Sequence, residues 1–259
     1  MKLQSLNIRG VRNLEQVSLP QLSSINLFYG DNGAGKSSVL EAIHMLALAR
    51  SFRSIQLNPV IGYGQDSCTV FSKVIDCADK QIALGIQRPR KGGFTIKVDG
   101  EVKNSVVALA ELLPIQLINA TSYMLLEAGP KLRRQFLDWG VFHVKHSFYD
   151  AWKKSQRCIK QRNAALRSGN GFQSVSLWNQ ELIQVASALD VARRDYFLAF
   201  QPVFASILAE ICDLDGIDAS YFRGWREGSS LEQVLADNLQ RDTKRGVTHN
   251  GPHRADLKI

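Results

Sequence analysis

The residues best suited to chemistry form one run, Gly30-Asp31-Asn32-Gly33-Ala34-Gly35-Lys36-Ser37, which fits the spacing G-x-x-x-x-G-K-[ST]. Glycines at these positions let successive backbone N–H groups turn inward on phosphate oxygens. The lysine ammonium reaches the β- and γ-phosphates, and the serine hydroxyl completes a magnesium shell. The positive end of a following helix adds to the field. Such a match carries weight only in context. Residues 25–29 (INLFY) predict a strand directly before the run, and residues 37–49 predict a helix with Val39, Ile43, Leu46 and Ala47 on one stripe. All eight residues are therefore expected to bind nucleotide phosphates, with Ser37 also holding Mg2+.

The second chemical feature is a concentration of charge. Residues 131–167 hold ten Lys and Arg against Asp138 and Asp150 alone, so this stretch equals the net +8 of the whole chain. A charge gathered in this way predicts a surface for a polyanion. Lys153, Arg157, Lys160 and Arg167 fall on one helical stripe, rotated about 100° from the apolar stripe of Phe148, Trp152, Ile159 and Leu166. Arg133 and Arg134 stand near a helix start, where cations are locally unfavourable, which points to a use. These six basic residues are the candidate DNA contacts. His143 and His146 lack a partnering Cys or carboxylate, so zinc is not expected there.

The surrounding elements read as follows. Short strands are expected at residues 2–8 and 17–19. Residues 68–102 have β texture, with Asp99-Gly100 as a two-residue hairpin turn. A short helix at 105–112 and a buried strand at 115–118 (IQLI) follow. A helical region opens at Gly129-Pro130 and continues to residue 167; Ser168-Gly169-Asn170-Gly171 breaks it. A second long helix is predicted over 176–209, antiparallel to the first, with Pro202 kinking or ending it. A strand at 219–222, a helix at 231–241 and a strand at 255–259 complete the chain. The most apolar stretches are too short to span a bilayer. Cys68, Cys77, Cys158 and Cys212 are widely spaced without C-x-x-C, the pattern of reduced thiols in a cytoplasmic protein.

With these pieces assembled the chain resembles the RecF family of bacterial recombinational repair ATPases over its whole length. The resemblance rests on Val11-Arg12-Asn13, on the phosphate loop running into SVLEAI, and on RSFRS at 50–54. Its most specific part is GPKLRRQFLDWG at 129–140, followed by QRNAAL at 161–166 and GPHRAD at 251–256. It implies an α/β ABC-type P-loop ATPase head of three layers with an inserted antiparallel helical arm. The implied division is a head over 1–126, the arm over 127–215 and a return to the head over 216–259. It further implies ATP-dependent homodimerisation on double-stranded DNA near single-strand gaps and stalled forks, with other recombination mediators as partners. Asn32, Arg53, Arg9 and Arg12 are placed near nucleotide by the resemblance. Ala120-Thr121 departs from the proline and acidic residue usual there. The family's S-x-G-Q loop and aspartate-ended strand are not found in the sequence, so turnover of ATP is left open. The alternatives are a non-hydrolysing DNA-binding module and a head of another chromosome-maintenance or ABC type.

Overall fold

The computed structural model describes residues 1–56, 58–76, 78–168, 171–212 and 216–259, which divide into two compact units, Met1–Leu117 and Ile118–Ile259. Among the described residues no helix is long and apolar enough to cross a membrane.

The first unit is a sheet with helices on one face. Its strands are β1 (Lys2–Val11), β2 (Leu14–Leu19), β3 (Ser67–Ile75), β4 (Gln81–Pro89), β5 (Thr95–Val98) and β6 (Glu101–Lys103). They lie in the order β2-β1-β3-β4-β5-β6, each antiparallel to its neighbour. The alternation of β3 and β4 explains why. Cys68, Val70, Ser72 and Val74, then Ile82, Leu84 and Ile86, all point to one face and are buried. At the β5–β6 turn both Asp99 (φ 50°) and Gly100 (φ 84°) are left-handed, as the sequence predicts, and Asp99 Oδ1 accepts from Ala83 N at 2.7 Å.

Helix α1 (Lys36–Leu48) covers the apolar face, with α2 (Val107–Leu112) beside it. Met45, Leu46, Ala42 and Ala47 of α1 have no exposed surface. The helix is buried around more of its circumference than the predicted stripe, because Glu41 and His44 are also inside.

Two predicted strands do not form. Residues 20–30 carry no strand, and Ile25, Leu27 and Tyr29 are 89%, 84% and 87% exposed. Residues 114–119 are likewise irregular, with Ile118 exposed. A strand exists only through its partner's backbone, and no described segment pairs with either one.

The second unit is helical. Helix α3 (Met124–Glu127) precedes α4 (Pro130–Val144), α5 (Phe148–Ser168) and α6 (Gly171–Ile211). The last two pack antiparallel. Phe148 meets Arg193, Cys158 bonds Glu181, and Arg162 bonds Asn179, so partners run in opposite directions along the two helices. The link at 169–170, where a break was expected, lies outside the described residues, as does Cys77. Helix α6 continues through Pro202, which was expected to end or kink it. The ring removes only one N–H, and the rest of the 41-residue helix retains its own bonds.

Strand β7 (Ser220–Phe222), helices α7 (Leu231–Asp237) and α8 (Leu239–Arg245), and strand β8 (Asp256–Lys258) also belong to this unit. The single helix expected at 231–241 is thus two short ones. Trp225, Leu231, Val234 and Leu235 share a core with Cys158, Ile159, Leu182 and Ala186. β7 pairs only with β8, and β8 packs on α4. Burial pushes the Cys68 and Cys158 thiols up to about 11, which leaves both protonated and inert.

Candidate nucleotide site and basic helix

The loop at 30–37 reverses on its glycines and delivers the chain into α1. Gly30, Gly33 and Gly35 all have positive φ. Gly35 has a second reason to be glycine, since a Cβ there would lie 2.5 Å from Leu14 Cδ2. Asn13, from the β1–β2 turn, staples the loop. Its Nδ2 donates to Gly33 O at 2.7 Å, and its Oδ1 accepts from Ser38 Oγ at 2.9 Å. Lys36 Nζ donates to Gly30 O at 2.7 Å and to Asp31 O at 2.8 Å. The ammonium is therefore held over the loop by neutral carbonyls alone, which a phosphate can displace.

The loop forms one end of a cleft of about 990 Å3. Asn32, Gly33, Gly35, Lys36 and Ser37 line it, as do Arg12 and Arg53; Tyr63, Ile61 and Pro59 lie among its other walls. No carboxylate is among the lining residues. Arg9, placed near nucleotide by the resemblance, is not among them either; it points outward from β1 into solvent.

Glu41 organises the cationic side, and sequence reading passed over it. Its side chain is fully buried, one turn past the loop. Arg12 Nε and Nη2 bind its two oxygens at 3.0 and 2.8 Å, Ser51 Oγ donates to Oε1 at 2.5 Å, and Arg53 Nη1 lies 3.8 Å away. Burial alone would raise this carboxyl, but hydrogen bonds from Arg12 and Ser51 outweigh it and hold the pKa below the usual range. The same bond raises the Arg12 guanidinium. One buried anion thus fixes Arg12 doubly and Arg53 loosely beside the loop. The available signal was a carboxylate inside an apolar helix, which demands partners.

Magnesium fits this cleft in a limited way. The exposed Ser37 hydroxyl is one oxygen donor, and among the described residues no group of three or more His, Cys, Asp or Glu can hold a metal. A cation here would take its remaining oxygens from phosphates and water, as Mg2+ commonly does.

In the second unit the six basic candidates separate. Arg133 is engaged by Asp256, with Nε and Nη2 at 2.9 and 2.8 Å from the two carboxylate oxygens, and donates through Nη1 to Ala128 O. Arg134 is half-buried, its pKa lowered by burial and then by Arg193, and it donates to Ala255 O at 2.8 Å. Both serve packing positions. Arg167 is exposed but donates to Gly246 O at 3.2 Å. Lys153, Arg157 and Lys160 project from α5 into solvent with no partner among the described residues.

Two arginines are buried outright. Arg162 reaches Asp242 Oδ2 and Thr248 Oγ1, both at 2.7 Å, and Asn179 Oδ1 at 2.7 Å. Arg193 binds Asp138 at 2.8 and 3.1 Å and Pro252 O at 2.8 Å. Arg162 falls on the same stripe as Phe148, Ile159 and Leu166, a position where a charge must be paired. Helical spacing therefore contained the signal, although the residue had been counted with the surface charge.

A glycine loop stapled to a sheet turn at the head of α1, together with a helical arm, defines a P-loop ATPase head of the ABC type. The profile described as the RecF/RecN/SMC N-terminal domain matches residues 2–216. The chain is 50% identical over its full length to the DNA replication and repair protein RecF of Stutzerimonas stutzeri, covering 70% of that protein. The RecF of Pseudomonas putida strain F1 is 49% identical over the full chain, with 71% of it covered. Two solved structures of the recombination mediator protein RecF, one with ATP, superpose with TM-scores of 0.85 and 0.84 over 99% of this chain and 72% and 73% of theirs. At 23% and 24% identity they establish the fold. The chain belongs to the RecF family.

Proposed function

We propose that this protein binds ATP at the 30–37 loop and double-stranded DNA along α5, as a recombinational repair protein. The observation that carries the nucleotide half is the Lys36 ammonium, satisfied only by Gly30 O and Asp31 O in a cleft without a lining carboxylate. A triphosphate entering the cleft replaces those carbonyls. Its β- and γ-oxygens meet Lys36, the loop N–H groups and the loosely held Arg53, and Mg2+ bridges the phosphates to Ser37. The relatives named as RecF, and the solved RecF with ATP, support this reading.

In the same reading ATP joins two heads on DNA near single-strand gaps and stalled forks, in company with other recombination mediators. Turnover is a separate matter. In this reading the chain alone holds nucleotide without turning it over, since the described lining residues include no carboxylate to place magnesium and water. The reading also retains the proposed division of head over 1–126, arm over 127–215 and closing segment over 216–259.

The test is ATP affinity measured by calorimetry for the parent and Lys36→Ala. Losing a charged hydrogen-bond donor costs about 1.5–3 kcal/mol, roughly 10- to 150-fold in Kd. Unchanged affinity, with an unchanged circular dichroism spectrum, would refute the phosphate loop.

A further inference from the structure

The outer face of the six-stranded sheet is not covered by any helix of its unit, and its composition is uneven. Antiparallel pairing places laterally matched residues on one face. A central row runs Asn7, Phe71, Gly85, Lys97 across β1, β3, β4 and β5. On one side of it lies the row Arg9, Thr69, Gln87, and on the other Lys73 beside Ala83. The three rows carry Arg9, Lys73 and Lys97, all exposed, and one carboxylate, Asp99, which flanks Ala83 at the edge of the last row. The nearby turn residues Asp76 and Asp99 are bound to backbone amides at strand ends.

Gly85 stands at the centre of this face for no conformational reason. Its φ is not positive, and a Cβ there would meet only Phe71 Cδ2 at 3.7 Å and Lys97 Cβ at 4.0 Å. The Phe71 ring lies against the glycine, 37% exposed. A glycine inside a strand weakens it and marks a close approach by something else. What results is an aromatic ring lying against Gly85, with cations on three sides.

We infer that this sheet face is a stacking platform for single-stranded nucleic acid, with an unpaired base on Phe71 and flanking phosphates on Lys73, Lys97 and Arg9. The chemistry favours this over an acidic peptide. The face offers a ring and small side chains where a peptide would need a pocket for its anchoring side chain, whereas a base needs only an open aromatic surface. A duplex gains nothing from Phe71, because its bases are already stacked. The platform lies on a different unit from the α5 stripe and is independent of it.

The experiment uses the full chain, a short oligothymidylate carrying one 2-aminopurine, and a duplex of equal length. Phe71→Leu weakens single-strand binding about tenfold, the size of one base–aromatic stack, and abolishes the change in 2-aminopurine emission. Duplex affinity stays unchanged, and Phe71→Trp keeps both signals. Gly85→Val, a β-branched residue that suits the strand, fills the open surface beside the ring and weakens single-strand binding without loss of folding. Lys73→Gln with Lys97→Gln reduces the slope of log K against log salt by about 1.4. The Phe71→Leu effect persists when Lys153, Arg157 and Lys160 are all glutamine; its disappearance there would assign the strand to the arm and overturn the platform. Equal losses for strand and duplex, unchanged emission with Phe71→Leu, or displacement of the strand by polyglutamate equally from parent and Phe71→Leu, would each overturn it too.

Discussion

The two units treat positive charge in opposite ways. In the first, Lys36 leans on neutral carbonyls, Arg53 is half exposed and 3.8 Å from Glu41, and the cleft they line contains no carboxylate. In the second, Arg162 and Arg193 are as buried as any leucine in the core, each against an aspartate and further oxygens. Cations left under-satisfied in a cleft are ready for an anionic ligand. Cations paired with aspartate in the interior hold helices to the 248–256 segment. Charge density in the sequence registers both alike, whereas burial and partner geometry separate them.

The sharpest way to break that comparison is to remove a buried arginine. Arg162→Met keeps much of the side-chain volume but leaves Asp242 inside with only His249 at 2.8 Å. An uncompensated buried carboxylate costs about 3–5 kcal/mol. Chemical denaturation should show that loss at an unchanged m-value. A loss below about 1 kcal/mol would mean that Arg162 is not the partner that fixes this segment.

Next in size is a pH effect on the same segment. His253 is pushed down to about 4, first by burial and then by Arg254, Arg134 and Arg162, although its Nε2 bond to Thr248 O opposes this. The folded imidazole stays neutral while the unfolded one protonates near the ordinary 6.5. Stability is therefore full above pH 6.5 and falls as pH drops toward 4, by about 3 kcal/mol in all. His253→Asn should flatten that part of the profile. A profile that keeps its slope in the variant would assign the acid sensitivity to other groups.

A smaller effect is expected at Glu41→Gln. The isosteric amide keeps hydrogen bonds to Ser51 but loses the charge that holds Arg12 and Arg53. Two freed guanidinium groups beside the loop should tighten binding of ATP relative to ADP by severalfold, about 1 kcal/mol, at a modest cost in melting temperature. Equal changes for both nucleotides would show that Glu41 acts on the fold alone.

What the sequence disclosed followed from local rules. The glycine turn at 30–37, α1, the Asp99-Gly100 hairpin and the antiparallel α5–α6 pair are each encoded within a few residues of themselves. The misread segments needed distant partners. Residues 25–29 form an apolar run like a strand, but apolar character pairs no backbone, and the segment finds no neighbour among the described residues. Arg133 and Arg134 read as part of the basic surface, since nothing at positions 133–134 reveals that Asp256 and Ala255 O meet them 123 and 121 residues later. Pro202 does not end α6, because one lost N–H leaves the bonds of the flanking turns in place.

The smallest stability effect, and the last test of the comparison, concerns the exposed stripe of α5. Lys153 and Arg157 are one turn apart, as are Arg157 and Lys160, so at low salt they repel one another by a few tenths of a kcal/mol. Replacing all three with glutamine should leave the melting temperature unchanged or slightly raised, because no described partner is lost. If the stripe follows a DNA backbone, duplex affinity should fall steeply, and the slope of log K against log salt should shrink by about 2.7, or 0.9 for each phosphate contact removed. Sequence preference should stay weak throughout, since phosphate contacts set position without reading bases. Arg133→Gln is the matched control from the satisfied class. It should lower stability through the Asp256 pair and leave the salt slope where it was. A reversed pattern, with the slope moved by Arg133 and untouched by the triple variant, would place the duplex at Arg133 and leave the α5 stripe as a solvated face.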